Sequence, residues 1–418
     1  MMTVPRGAPA NALVDVGYRP VGVAVFAALL LTTPLYGGLP VGPFQLTEIA
    51  VVSASLFGIA YVSVSTVLST TQGFVSRRLV DCVAAILLLF LPVALSAYFS
   101  DAPLPTDIRA TRGFEEAILF VSVFAFSRFV PWEDRRSIAY VRLAFRAAAL
   151  GFLAHFLVAG ANFGFIGFAN HKNVIGGACL AYGILVSLDA ASRRSAIVID
   201  LTIGFALSFL VGSRTASIGL LVMLAIVATG AGSGKYGDLV KRSLCVIAIG
   251  IPLVIVPAYL GAGSLPGFSA FDDLLFRLSG TRFYTGRERL WLEVLAEIRM
   301  RPVGGFGFHY QQYWETKTVH AHNLYLAKLH QVGIGGLLLF MGFIAVMARR
   351  SYNAGRIASV VGFFVLLVHQ SFEVGLTLGG PPIGAAMALA LGAIASQPSA
   401  LREPMESPEF RSLARGRV

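Results

Sequence analysis

The chain is 418 residues long, 56% hydrophobic and only 13% charged, with 33 Lys and Arg against 22 Asp and Glu. A soluble domain carries about 25% charged residues, so this composition excludes an ordinary soluble enzyme and points to a bilayer protein. The formal net charge of +11 does not indicate nucleic acid as a partner, because no aromatic–basic interleaving accompanies it and the basic residues gather in short loops between apolar runs.

The N-terminus to Arg19 is polar and weakly basic. The run that follows, to Leu39, is too long for a signal-peptide core and has no clear cleavage site, so it reads as a retained first span. Twelve apolar spans follow in order: 20–38, 46–68, 79–99, 113–131, 138–160, 173–190, 195–212, 215–231, 243–262, 323–348, 356–375 and 378–396. Helices are expected, because a lipid-exposed backbone has to satisfy its own hydrogen bonds. The expected class is therefore an all-α integral membrane protein of about 12 transmembrane helices with one long outer loop. Cys82, Cys179 and Cys245 lie inside apolar runs and read as small core residues.

Orientation follows from the basic loops. Arg77 and Arg78, Arg135 and Arg136, Arg193 and Arg194, Lys241 and Arg242, and Arg349 and Arg350 occupy alternate loops. The positive-inside bias puts those loops and both termini in the cytoplasm. The chain then divides into transmembrane helices 1–9 over 1–261, a periplasmic catalytic loop over 262–322, helices 10–12 over 323–396, and a basic cytoplasmic tail over 397–418. The loop 161–172 faces outward with the long one. Arg142 and Arg146, one turn apart near the cytoplasmic end of the fifth span, are expected to snorkel. His155 and His369 read as packing residues. The absence of a carboxylate relay through the spans argues against a proton-coupled transporter.

The long outer loop holds the chemistry. It reads Thr285-Gly-Arg-Glu-Arg-Leu-Trp291, then Arg301-Pro-Val-Gly-Gly-Phe-Gly-Phe308, then His320-Ala-His-Asn323. Thr285 and Glu288 fit a capping box, which predicts a helix to Met300 with Leu290, Trp291, Val294, Leu295 and Ile298 on one face. Arg287 and Arg289 sit in its first turn, where cations disfavour the helix unless an anion binds there. Surface pairing with Glu288 or Glu293 is the plainer alternative. Arg214, in Gly212-Ser-Arg-Thr215, either snorkels to lipid phosphate or completes a phosphate clamp with Arg287.

His320 and His322 are spaced two apart and lack a His-Glu-x-x-His pattern, which does not suit a metal site. His322 at a wet rim suits a general base, with His320 and Asn323 beside it as substrate contacts. Gly333 and Gly336 would let helices pack closely beneath. His171 and Lys172, in Phe168-Ala-Asn-His-Lys-Asn173, offer a second phosphate or glycan contact, or an interfacial anchor. The glycines at 304, 305 and 307 lack a following Lys-Ser/Thr, so ATP is not indicated.

These motifs together resemble the O-antigen ligase and polysaccharide polymerase superfamily of bacterial envelope proteins. Its ligases show His-Asn, nine residues, Gly, two residues, then a small residue or Tyr; here that is His322-Asn323, Leu324 to Val332, Gly333, Ile334-Gly335, Gly336. The Thr285–Trp291 and Pro302–Gly307 stretches and the Arg214 turn resemble the same family's pattern, and the His171-Lys-Asn173 loop looks most like exopolysaccharide polymerases. The resemblance covers roughly 160–340.

It implies an inverting, metal-independent, cofactor-free glycosyltransferase of the membrane glycosyltransferase C type, in a bacterial inner membrane. The donor would be a glycan on undecaprenyl pyrophosphate and the acceptor a glycan or a lipid core, with chain-length or export proteins as partners. Arg214 and Arg287 would stabilise the pyrophosphate, and His322 would activate the acceptor hydroxyl or contact the pyrophosphate. Glu288 and Glu297 are the fallback bases. The expected function is polymerisation of oligosaccharide repeats. Its alternatives are ligation to lipid A-core and, from another class, lipid-glycan flipping or transport.

Overall fold

The computed structural model describes residues 20–36, 40–41, 44–45, 106–130, 135–160, 171–189, 192–230, 237–279, 282–284, 286–307, 321–373 and 381–397, with isolated positions at 53, 56, 60, 83, 132 and 167. These residues form a helical bundle. In chain order its helices are α1 (Pro20–Tyr36), α2 (Thr106–Phe129), α3 (Arg135–Val158), α4 (Lys172–Ser187), α5 (Arg194–Leu210), α6 (Arg214–Thr229), α7 (Gly237–Gly261), α8 (Phe268–Ser279), α9 (Arg287–Met300), α10 (Leu324–Asn353), α11 (Ile357–Gln370) and α12 (Pro381–Ser396). A two-residue antiparallel ladder, Pro40–Val41 with Phe44–Gln45, follows α1.

Three helical stretches, Arg136–Val158, Gly237–Ser264 and Leu324–Asn353, are long and apolar enough to cross a membrane by length and composition. The expected spans at 20–38 and from 113–131 onward each overlie a described helix. Those at 46–68 and 79–99 lie outside the described residues apart from single positions.

The bundle is built around α4. Every residue from Ile175 to Ser187 is buried, as expected for a helix that is apolar all round. Helices α1, α3, α5, α6, α11 and α12 lie against it. Where lipid is as apolar as the core, close approach and polar ties hold helices together more than water exclusion does. Gly176 supplies the close approach: a Cβ there would lie 2.0 Å from Ser213 Oγ, so α4 and the start of α6 can meet only through a glycine.

The polar tie sits at the other end of α4. Asp200, fully buried on α5, accepts Tyr182 Oη at 2.7 Å and pairs with Arg142 Nε at 2.7 Å and Arg146 Nη2 at 2.7 Å. Arg142 also reaches Asp189 at 3.0 Å and hydrogen-bonds Ser192. The expected snorkelling of Arg142 and Arg146 is therefore corrected. Two buried carboxylates, Asp189 and Asp200, hold them inward, since a buried carboxylate left without a partner is strongly destabilising.

One helix breaks. Gly333 in α10 has φ 64 and ψ −172, a region open essentially to glycine. The Arg301–Gly307 turn fills the break. Phe306 N donates to His330 O at 2.8 Å, Gly307 N to Gln331 O at 2.9 Å, and Ile334 N to Pro302 O at 2.9 Å. A Cβ on Gly333 would lie 1.8 Å from Val303 O. The expectation that Gly333 serves helix–helix packing is corrected: it lets a loop dock into the helix and satisfy the carbonyls the break frees.

Candidate functional site

Four helices begin in one place. Lys172 is the first residue of α4, Arg214 of α6 and Arg287 of α9, and Asn323 caps α10. Each N-terminus carries a partial positive charge, and α6 and α9 begin with no side-chain cap bond, so their convergence makes a field that favours an anion.

The loop before α10 is fixed from two sides. Trp291, fully buried on α9, donates Nε1–H to Ala321 O at 2.8 Å. Asn323 Oδ1 accepts from Tyr325 N and Leu326 N, each at 3.0 Å, while its Nδ2 donates to Ser371 O at 2.9 Å. Between these anchors His322 adopts φ 50, the positive-φ non-glycine among the described residues. That conformation costs an L-residue roughly 1–2 kcal/mol, though histidine enters it more readily than most. The two anchors hold the chain in it, and strain of this kind collects at functional positions.

Glu373, just beyond α11, joins the two principal groups. Arg287 Nη2 donates to its Oε1 at 2.7 Å, and His322 Nδ1 lies 3.4 Å from its Oε2. The residue is 5% exposed. Burial pushes the carboxyl up, but the His322 hydrogen bond and the Arg287 charge outweigh it, and the group settles at about 2. Its backbone N–H caps α11 by donating to His369 O at 2.9 Å.

His171 stands within electrostatic reach of Glu373, His322 and Arg287. Its Nδ1 accepts from Asn173 N at 3.2 Å, and burial draws the imidazole below its ordinary value. Arg214 repels Arg287 through space, and its Nη1 donates to Arg282 O at 3.4 Å.

The structure thus brings His171, Arg214, Arg287 and His322 to one cluster. Lys172 is half-buried at its edge. Arg289 is exposed, about 200° around α9 from Arg287. His320 and Thr285 lie outside the described residues. The capping box is corrected: Gly286, at φ 84 and with no side-chain cap bond, precedes Arg287, which leaves Glu288 one position too early for that motif. The fallback bases stand differently. Glu297 Oε2 lies 2.6 Å from His330 Nε2, toward the far end of α9, and Glu288 lies in α9's first turn.

Glu373 was missed by sequence reasoning. A signal was present, since the residue falls inside the expected span 356–375, where a carboxylate is costly without a partner. Among the described residues no group of three His, Cys, Asp or Glu side chains could hold a metal ion. In comparisons with known proteins, residues 199–341 match the model of the O-antigen ligase family. That range includes Arg214, Arg287 and His322 and stops short of Glu373. No curated protein matches the chain.

Proposed function

We propose, for a chain whose residues 199–341 match the O-antigen ligase family, that it belongs to that superfamily and polymerises oligosaccharide repeats carried on undecaprenyl pyrophosphate. The reading keeps about twelve spans, an inner-membrane location with both termini cytoplasmic, and the site at the periplasmic face. One observation carries it: Arg214 and Arg287, each the first residue of a helix, lie within electrostatic reach of one another, and the carboxylate that meets Arg287 is already shared with His322. Two fixed guanidiniums that repel one another suit a ligand with at least two negative charges.

In the reaction, an acceptor hydroxyl oxygen bonds to the donor's anomeric carbon while the bond from that carbon to the pyrophosphate oxygen breaks. The electron pair leaves with the lipid pyrophosphate, and Arg214 and Arg287 stabilise the charge that develops there. The hydroxyl proton passes to the His322 ring, whose Nδ1 faces Glu373 and is held in orientation by it. Attack opposite the departing group inverts the anomeric centre. Asn323 acts as the joint that fixes His322, since its amide is committed to α10 and Ser371. His171, Lys172, Arg289 and His320 are left as glycan or phosphate contacts.

The test uses purified protein in nanodiscs with one undecaprenyl-pyrophosphate-linked repeat, without nucleotide or metal. Polymerisation predicts a ladder of repeats by gel and mass spectrometry. Transfer only after a core lipid is added would replace polymerase by ligase. Silence with every acceptor would overturn glycosyl transfer.

A further inference from the structure

The two imidazoles of the cluster are set in opposite tautomers. In a neutral ring one nitrogen carries the proton and the other accepts, and the partner of one decides the state of the other. At His322 Nδ1 lies 3.4 Å from the Glu373 carboxylate, which only accepts. The proton therefore sits on Nδ1, and Nε2 keeps its lone pair. At His171 Nδ1 itself accepts from Asn173 N at 3.2 Å, so the proton sits on Nε2. Burial lowers the pKa of this ring from its ordinary value, which makes it an uncharged donor near neutral pH. Protonating its Nδ1 would also break the side-chain cap at the start of α4.

The fold brings that donor to the cluster. Gly176, near the start of α4, meets Ser213, the residue before Arg214: a Cβ at 176 would lie 2.0 Å from Ser213 Oγ. The start of α4 is thus pressed against the start of α6. His171 is exposed, and Glu373, His322 and Arg287 lie within its electrostatic reach. Diphosphate oxygens find two guanidiniums in the same cluster. A neutral N–H is the weaker partner for them, because charge-assisted hydrogen bonds are roughly twice as strong. It matches an oxygen that carries no charge. The sugar bonded to a diphosphate brings such oxygens, as hydroxyls or an amide carbonyl, to the rim of the anion site.

We propose that His171 is a specificity-determining residue: its Nε2–H donates to an uncharged oxygen of the donor sugar bonded to the diphosphate, while His322 takes the acceptor's proton. The proposal rests on the glycosyl-transfer reading for the donor's class and adds which side chain selects the donor's first sugar.

The experiment measures binding by the full chain in nanodiscs, without acceptor, of two ligands: a glycan-free polyprenyl diphosphate and the same lipid diphosphate carrying one repeat. The variant is His171→Asn. Asparagine is among the best N-caps, so its Oδ1 keeps the bond to Asn173 N, while its amide stops short of the imidazole Nε2 position. Kd for the sugar-bearing ligand should rise about three- to tenfold, the loss of one hydrogen bond, with Kd for the glycan-free ligand and Tm unchanged. Equal weakening of both ligands would make His171 a phosphate contact and overturn the proposal, and so would no change in either. As a second readout, donors whose first sugar lacks one hydroxyl or amide should be turned over more slowly than the complete donor at one position of the ring, and His171→Asn should lose that discrimination in kcat/KM. The acid limb of the pH–rate profile should stay in place. A shifted acid limb would make His171 the titrating base and overturn the assignment. Binding that follows the expected pattern, with no transfer to any acceptor, would overturn glycosyl transfer and leave the His171 contact standing.

Discussion

The protein places two arginine pairs at opposite ends of α4, and they are balanced differently. Arg142 and Arg146 meet Asp189 and Asp200, so two positive charges face two negative ones. Arg214 and Arg287 meet no such balance: Glu373 pairs with Arg287 and also faces His322, while Arg214 is offered a backbone carbonyl. A neutral buried network is complete in itself and serves as a clamp. A cationic cluster at converging helix N-termini is finished only by a ligand. The same residue type is therefore neutralised at one end and left with excess positive charge at the other, where we propose the chemistry takes place.

The largest expected effect breaks the balanced end. Asp200→Asn strips Arg146 of its carboxylate and leaves Arg142 with Asp189 alone, and should lower stability by about 3–5 kcal/mol. Thermal unfolding in nanodiscs would register it, and turnover per folded molecule should hold. Lost turnover at unchanged stability would make that network part of the catalytic machinery and erase the contrast.

The unbalanced end should answer in the opposite way. Arg214→Ala and Arg287→Ala are each expected to slow transfer about 10²–10³-fold, the loss seen when a fixed donor to a developing anion is removed. Arg214→Ala should leave stability intact. Arg287→Ala should not, because it strips Glu373 of its ion pair; adding Glu373→Gln should restore stability without restoring transfer. Full recovery of activity in that double variant would remove Arg287 from the anion site.

Acid sharpens the comparison further. The Glu373 carboxyl stands at about 2 in the folded protein against an ordinary 4.5. A depressed folded value contributes stability that is complete above the unfolded value and is lost as pH falls through the folded one. Stability should therefore drop between about pH 4.5 and 2, by roughly 2–3 kcal/mol from this group. Glu373→Gln should flatten that part of the stability-against-pH curve and leave the region above pH 5 unaltered. A parallel curve in the variant would show that Glu373 is not held ionised.

Much of the bundle was legible because apolar runs and basic loops are local signals. The same holds for Arg214, Arg287 and His322, which sit in short motifs at apolar boundaries. What stayed hidden was pairing over long separations. Glu373 joins Arg287 across 86 positions and His322 across 51, and Asp200 meets Arg146 across 54. Periodicity carries no information about such partners. The break at Gly333 was hidden for a similar reason: glycine in an apolar helix reads as close packing, and only the docked Arg301–Gly307 turn gives it another meaning.

The smallest effect tests whether His322 is held in its conformation for function. His322→Ala and His322→Gly both remove the imidazole and the 3.4 Å contact with Glu373, so both should lose transfer. They differ at φ 50. Alanine keeps the 1–2 kcal/mol cost of a left-handed L-residue, whereas glycine escapes it and gives back about 0.4–1 kcal/mol in unfolded-chain entropy. The glycine variant should then be more stable than the alanine variant by about 0.5–1 kcal/mol, read as a difference in Tm at equal inactivity. Equal stabilities would mean that the loop relaxes once the ring is gone. In that case the Trp291 and Asn323 anchors do not impose the backbone, and the ring's own contacts place it.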